Sequence, residues 1–244
     1  MTLAVTSLTS GSTSPSNLTG FTTASVSPAS GSLLVLSLGG YDGTGTQDFT
    51  VSTVSGLSVT WTKQKASGAG SADKGDLEVW TAPAGASPGS GAITVTLTGS
   101  GFGNASAVWA VDQVTAEDPA TPVVTANTQA ANASSTGPAV TFGAPAGGGN
   151  LFYAMSLVLL GASGTVTQTP NESPTAWTAL DNLASSDAVN NNVALLTTIS
   201  PDVTNVDASV SLNGSHSWGM IGIELAAASG GSPATSGPLM ASFF

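Results

Sequence analysis

Apolar residues fall along this chain in two patterns. Leu33-Leu34-Val35-Leu36-Ser37-Leu38 is a nearly continuous apolar run, bounded by Gly31 and Gly39-Gly40. A run of that length reads as a strand buried on both faces or in a sandwich core. Leu57-Ser58-Val59-Thr60-Trp61 and Ile93-Thr94-Val95-Thr96-Leu97-Thr98 instead alternate strictly, the period of a strand with one buried face. Leu77–Trp80 alternates less cleanly, and Ala107–Val111 is apolar throughout. Further strands are expected at 139–142, 151–159, 177–180, 193–199, 207–212 and 219–225. Turn signals separate them: Ser27-Pro28, Tyr41-Asp42-Gly43, Ser87-Pro88-Gly89 and Gly99 to Gly103. Thirty glycines and thirteen prolines interrupt almost every helical window. Only Ala184–Val189 and Ala226–Ser229 leave room for a turn of helix.

The pattern occurs twice. Thr19-Gly20, Pro28-Ala29 and Leu33–Leu38 recur as Thr136-Gly137, Pro145-Ala146 and Leu151–Ser156. Val59–Thr62 recurs as Thr175–Thr178, Leu77–Thr81 as Val193–Thr197, and Thr94–Ser100 as Ser209–Ser215. Trp80 then corresponds to Leu196 and Trp109 to about Ile221. The unit is too long for a solenoid repeat or a propeller blade. The fold class expected is all-β: two tandem antiparallel β-sandwich domains, jelly-roll-like and related by internal duplication, with a short C-terminal tail. The first sandwich spans 1–116 and the second 123–228. The proline-bearing segment 117–122 is the linker, and 229–244 is a Gly/Ser/Pro tail with an apolar end.

Composition narrows what such a chain does. Charged residues make up 7 % of it, against roughly 25 % in an ordinary globular protein, so Ser, Thr, Asn, Gln and Gly must build the surface. The net charge is -11, there is no arginine, and the only cations besides the N-terminus and His216 are Lys63, Lys65 and Lys74. Phosphate backbones and anionic membranes both demand clustered Lys and Arg, so neither nucleic acid nor membrane is an expected partner. There is no cysteine, which removes disulfides, thiolate metal sites and cysteine nucleophiles. The first residues, Met1-Thr2-Leu3-Ala4-Val5-Thr6-Ser7, have neither the basic nor the apolar region of a secretory signal. An extracellular-looking β-protein without an export signal fits a virion component, assembled in the host cytoplasm and released by lysis, or a protein exported by type I secretion, whose signal lies at the C-terminus.

Candidate chemistry is sparse. His216, the only histidine, sits in Asn213-Gly214-Ser215-His216-Ser217 with no nucleophile elbow nearby; an exposed turn residue is the plainer account. Asp73, Asp76 and Glu78 cluster as paired glycosidase carboxylates do, yet they lie among the three lysines, and Asp76 and Glu78 lack second-copy equivalents, so local pairing is expected. Asp42-Gly43-Thr44-Gly45-Thr46-Gln47-Asp48 resembles a loose calcium loop without the closing glutamate, and reads as a Gly-rich turn. Trp61, Trp80, Trp109, Trp177 and Trp218 are either sugar-stacking platforms or core. Exchange of Trp80 and Trp109 for aliphatics in the second copy favours core. No catalytic residue, metal ligand or cofactor is expected, and the chain reads as no enzyme. Leu239, Met240, Phe243 and Phe244, at the end of the Gly/Ser segment, read either as a frayed terminus or as an arm that docks on a neighbouring subunit, and are the candidate partner-docking residues.

The repeated features are Gly31-Ser32-Leu33 and Gly149-Asn150-Leu151 opening an apolar strand, Trp61-Thr62, Val79-Trp80-Thr81-Ala82 before a Pro/Gly turn, Ile93–Leu97, and a final apolar strand. Together they resemble the low-charge tandem β-sandwich virion proteins of tailed phages: capsid decoration or cement proteins, head-fibre proteins and tail-associated adhesins. The resemblance covers both copies but not the tail. It implies a structural role in a homo-oligomeric assembly, with the major capsid protein or tail subunits as partners. The alternative it carries is an adhesin that binds host glycans through exposed aromatics.

Overall fold

The computed structural model describes residues 2–13, 17–43, 48–69, 75–98, 102–103, 105–161, 166–170, 177–185, 192–200 and 207–228. Every described element is a strand. The first half contains β1 (Ala4–Thr13), β2 (Asn17–Leu18), β3 (Gly20–Thr22), β4 (Leu33–Asp42), β5 (Val51–Ser55), β6 (Thr62–Ala69), β7 (Gly75–Pro83), β8 (Thr94–Leu97), β9 (Phe102–Gly103) and β10 (Ala105–Thr115). The second contains β11 (Val123–Ser135), β12 (Ala139–Thr141), β13 (Leu151–Gly161), β14 (Gln168–Pro170), β15 (Thr178–Ala184), β16 (Asn192–Ser200), β17 (Asp207–Leu212) and β18 (His216–Leu225).

Each half is an antiparallel sandwich of one large and one small sheet. The large sheets run β1-β10-β4-β7-β6 and β11-β18-β13-β16-β15; the small ones run β3-β8-β5 and β12-β17-β14. Strand for strand the two orders are the same, with a short β2-β9 ribbon added to the first half. If the eight main strands of a half are counted in sequence, the large sheet reads first-eighth-third-sixth and the small sheet second-seventh-fourth. That is jelly-roll order, with the fifth strand moved to the edge of the large sheet.

The halves do not stand apart. Their large sheets pack face to face: β1 lies near β15, β10 near β16, β4 near β13, β7 near β18, and β6 near β11. The strand orders therefore oppose one another across the contact. This is the arrangement of an isologous dimer, with an approximate two-fold axis running along the strands between β4 and β13. Leu33, Val35, Leu77, Val79, Val108 and Ala110 on one side meet Leu151, Tyr153, Met155, Leu157, Leu195 and Ile221 on the other. This central core adds to one inside each sandwich. It explains why β4, β10, β13 and β18 are apolar almost without alternation: Leu34, Leu36 and Leu38 face their own small sheet while Leu33 and Val35 face the other half.

Several local expectations shift. Gly39-Gly40 does not end the strand; β4 continues to Asp42. A Cβ on Gly39 would lie 2.8 Å from both terminal methyls of Leu157, and one on Gly40 would lie 2.3 Å from the Phe49 ring. These glycines admit large side chains on opposite faces of one strand. Leu57–Trp61 alternates but is not a strand. Leu57 and Ser58 have φ of 60° and 56°, and the Val59 N–H reaches the Gly56 carbonyl at 3.4 Å. The segment is a left-handed turn of the hairpin type that drops Leu57 and Trp61 into the first core. Neither helix turn forms where it is described: Ala184 ends β15, and Ala226–Ala228 is extended, pairing with 116–118.

Pairing also corrects the alignment of the two halves. Leu36 pairs with Trp80 and with Val111. Its counterpart Ala154 pairs with Thr198 and with Gly222. The structural counterpart of Trp80 is thus Thr198, not Leu196, and that of Glu78 is Leu196. Likewise Leu38 pairs with Trp109 and Ser156 with Met220, so Met220, not Ile221, takes the place of Trp109. Trp61 and Trp177 keep their correspondence, each immediately preceding the edge strand β6 or β15.

Candidate functional site

Asp76, Glu78 and Trp80 alternate along β7 and so share one face. Glu78 has no exposed surface. Its Oε1 accepts hydrogen bonds from Lys63 Nζ at 2.9 Å and from the Val51 N–H at 3.1 Å, and its Oε2 accepts from Trp80 Nε1 at 2.7 Å. Lys63 Nζ also lies 5.1 Å from the centre of the Trp80 ring. One carboxylate thereby ties together the large-sheet edge β6, its neighbour β7 and the small-sheet strand β5. Burial, and then the charge of Glu78, push the Asp76 carboxyl up to about 8, although its Oδ1 accepts the Leu77 N–H at 2.9 Å. A glycosidase pair presents its carboxylates to a substrate; Glu78 faces three protein donors. Asp73 and Lys74 lie outside the described residues.

Because both oxygens of Glu78 are engaged, Glu78→Leu, which installs the residue found at Leu196 in the other half, should destabilise the protein. It leaves the Trp80 and Val51 N–H groups buried without acceptors, at roughly 1–3 kcal/mol each. Adding Trp80→Phe should recover part of the loss. Urea unfolding midpoints of the two variants check both statements.

A second polar cluster lies in the central core, where apolar packing would be the default. The Tyr153 hydroxyl from β13 donates to Asp112 Oδ2 on β10 at 2.5 Å and lies 2.9 Å from Ser37 Oγ on β4. Asp112 and Tyr153 are both fully buried. Asp181, on the edge strand β15 of the second half, has its backbone N–H bonded to Thr197 Oγ1 at 3.1 Å. Asp112 Oδ1 and Asp181 Oδ2 are buried without hydrogen-bond partners. Burial pushes the Asp112 carboxyl up to about 7; the hydrogen bond from Tyr153 opposes the rise, the charge of Asp181 adds to it, and the hydroxyl of Ser7 on β1 opposes it further. Burial and the neighbouring Asp112 raise the Tyr153 phenol well above its usual value. The hydrogen bond from Tyr153 to Asp112 joins the two halves.

The linker is not a free tether. The Asp118 N–H bonds the Ala226 carbonyl at 2.9 Å, the Ala226 N–H bonds the Pro122 carbonyl at 3.0 Å, and Glu117 bridges Ala227. Asp118 Oδ1 accepts the N–H groups of Ala120 and Thr121, an Asx turn that shapes the segment. Beside it opens an apolar cleft of about 300 Å³, walled by Leu33, Pro83, Pro119, Pro122, Ser32 and Glu117. Glu117 is 8 % exposed, its Oε2 is buried without a partner, and burial raises its carboxyl.

The remaining sequence candidates resolve individually. All five tryptophans are buried, between 5 % and 9 % exposed. Trp177 Nε1 donates to the Asp207 carbonyl and Trp218 Nε1 to Ser135 Oγ. His216 opens β18 paired with Ser135, so it stands in a strand rather than in the turn before it. Asp42 is fully buried at the end of β4, while Asp48 is exposed; the residues 44–47 between them lie outside the described residues. Among the described residues no group of three or more carboxylates or histidines is placed to hold a metal ion. Leu239, Met240, Phe243 and Phe244 lie outside the described residues. The Asp112–Tyr153 pair and the Glu117 cleft escaped sequence reading. Their one signal is an acidic residue beside or within an apolar strand, as in Val111-Asp112. No known family model matches the chain, and no curated protein or solved structure matches it either.

Proposed function

We propose that this protein is a non-enzymatic structural component of a virus particle, a decoration or cement protein on a phage head. The chain attaches there by packing against neighbouring subunits, with its last residues serving as an arm. The observation that carries this reading is the central core. Two jelly-roll-ordered sandwiches already associate through bare sheet faces, with Tyr153 and Asp112 as a buried polar bond across the contact. The same strand order in both halves supports an origin by internal duplication. A surface with little charge suits contacts repeated over a lattice, where multiplicity turns weak binding into firm attachment.

Mass spectrometry of purified intact particles from the source tests the proposal. Trypsin has only Lys63, Lys65 and Lys74 to cut after, so a different protease is needed. Copy numbers comparable to those of the major capsid protein are expected; particles that lack the protein would overturn the reading. The glycan-binding alternative would have to rest on aromatics other than the five tryptophans, none of which is exposed.

A further inference from the structure

Three groups that can react with one another meet at the edge of the first sandwich. Glu78 on β7 is fully buried, and Lys63 Nζ on β6 lies 2.9 Å from its Oε1. Asp76, two residues earlier on the same face, shares a hydrogen bond with the Glu78 carboxyl. We propose that Lys63 and Glu78 condense within the folded chain, forming an amide between Nζ and Cδ while Asp76 relays the protons. The reaction occurs once per chain and turns over no substrate. It does not rest on the particle assignment.

Geometry carries this. A nitrogen in contact with a carboxylate oxygen is also within reach of the carbon that bears it, and such positioning is worth effective molarities of roughly 10⁵–10⁸ M. The Val51 N–H, 3.1 Å from Oε1, fixes the carboxylate. The Lys63 ammonium gives one proton to Oε1, and the freed amine attacks Cδ. Charge then builds on Oε2, which already accepts Trp80 Nε1 at 2.7 Å. Burial keeps Asp76 protonated up to about pH 8, so it passes its proton to Oε1 and takes the second proton from the nitrogen. Oε1 leaves as water, the amide N–H and carbonyl remain, and Asp76 ends as it began. The Lys63 side chain is 34 % exposed, which gives the water a way out. Condensation also removes the charge of a fully buried carboxylate, which favours the amide inside the sheet more than in water. The fold itself does not call for these groups. In the second half the places of Lys63, Asp76 and Glu78 are held by Ala179, Ala194 and Leu196, and the same strands form. The bond fastens the edge strand β6 to β7, a cross-link in a chain with no cysteine to make one.

Two readouts on the full chain test it. The intact mass should fall one water below the value the sequence requires. After unfolding, trypsin should cut at Lys65 and Lys74 but not at the acylated Lys63, and the pieces 1–65 and 75–244 should stay joined. Lys63→Arg keeps the ion pair and should restore the full mass and separate the pieces. Glu78→Gln should lose ammonia in place of water. Asp76→Asn, its fold checked by near-UV circular dichroism, should stay at full mass. A native chain at full mass whose tryptic pieces separate would overturn the proposal. So would a missing water that persists in Lys63→Arg, since the loss would then lie elsewhere. A folded Asp76→Asn chain that still lacks the water would remove Asp76 from the reaction.

Discussion

Asp112→Asn is expected to abolish a large part of this protein's loss of stability between pH 5 and pH 8. Asp112 in the folded chain is pushed up to about 7, whereas in an unfolded chain an aspartate titrates near 4. Between those values the folded state holds a proton that the unfolded state has released. Stability therefore falls as pH rises through this window, and the loss is complete above about pH 7. Three units at about 1.4 kcal/mol each amount to roughly 4 kcal/mol. The asparagine variant keeps an oxygen to accept the Tyr153 hydroxyl but cannot ionise. It should match the native chain below about pH 4, exceed it by roughly 1 kcal/mol near pH 5 and by roughly 4 kcal/mol at pH 8. Asp76 is raised as well, and self-repulsion at a net charge of -11 acts in the same direction. The native pH profile alone is therefore not diagnostic; the difference between the two profiles is. Parallel urea midpoints for both proteins at pH 5 and pH 8 would show that Asp112 is ionised without cost in the fold.

The same cluster shows where sequence reading stops. β8 and β17 are legible because Val95, Leu97, Ala208, Val210 and Leu212 alternate with exposed residues. β4 and β13 are legible as doubly buried strands. β1 and β11 are not, because they are edge strands built from small polar residues, half-exposed along β1, with no apolar period to mark them. Aligning Val79-Trp80-Thr81 with Leu195-Leu196-Thr197 fails for a physical reason: strand side chains repeat every two residues. A slip of two keeps every residue on its proper face, and only hydrogen-bonded partners reveal it. Leu57–Trp61 shows the converse, since alternation is necessary to a half-buried strand and insufficient to make one. The carboxylates Asp76 and Glu78 were legible as a cluster but not as an interior one. Asp112 and Tyr153 come from different halves, 41 residues apart, and nothing local couples them. The central core could be inferred only by asking what covers the second apolar face of β4, β10, β13 and β18.

That core has a contact between its two halves with no room to adjust, and substitution there should be strongly destabilising. Gly219 on β18 sits against β6 of the other half. A Cβ on it would lie 2.6 Å from the Gly68 carbonyl oxygen, 3.3 Å from the Gly68 carbonyl carbon and 3.4 Å from the Ser67 carbonyl oxygen. At Gly39 the nearest obstacle is the methyl end of Leu157, which another rotamer moves aside, with the Asp76 carbonyl oxygen farther off at 3.0 Å; at Gly219 the three nearest atoms are all backbone. That backbone is fixed by pairing of Gly68 with Asp76 and by the Ser67 hydroxyl donating to the Ala131 carbonyl at 3.1 Å. Gly219→Ala must push the sheets apart at this edge, at a cost of roughly 1–3 kcal/mol. Gly219→Val should cost more than about 4 kcal/mol, the range that marks a disrupted core. Gly148→Ala, where an added Cβ meets nothing within 4 Å, should change stability by less than about 0.5 kcal/mol. Hydrogen exchange gives the location. In Gly219→Ala the loss of protection should concentrate in β6, β7, β11 and β18, while β3, β8, β12 and β17, which face the two outer cores, keep theirs. A uniform loss across all four sheets would mean that the halves fold only as one unit, and an unchanged midpoint for Gly219→Val would mean that they do not meet at this edge in solution.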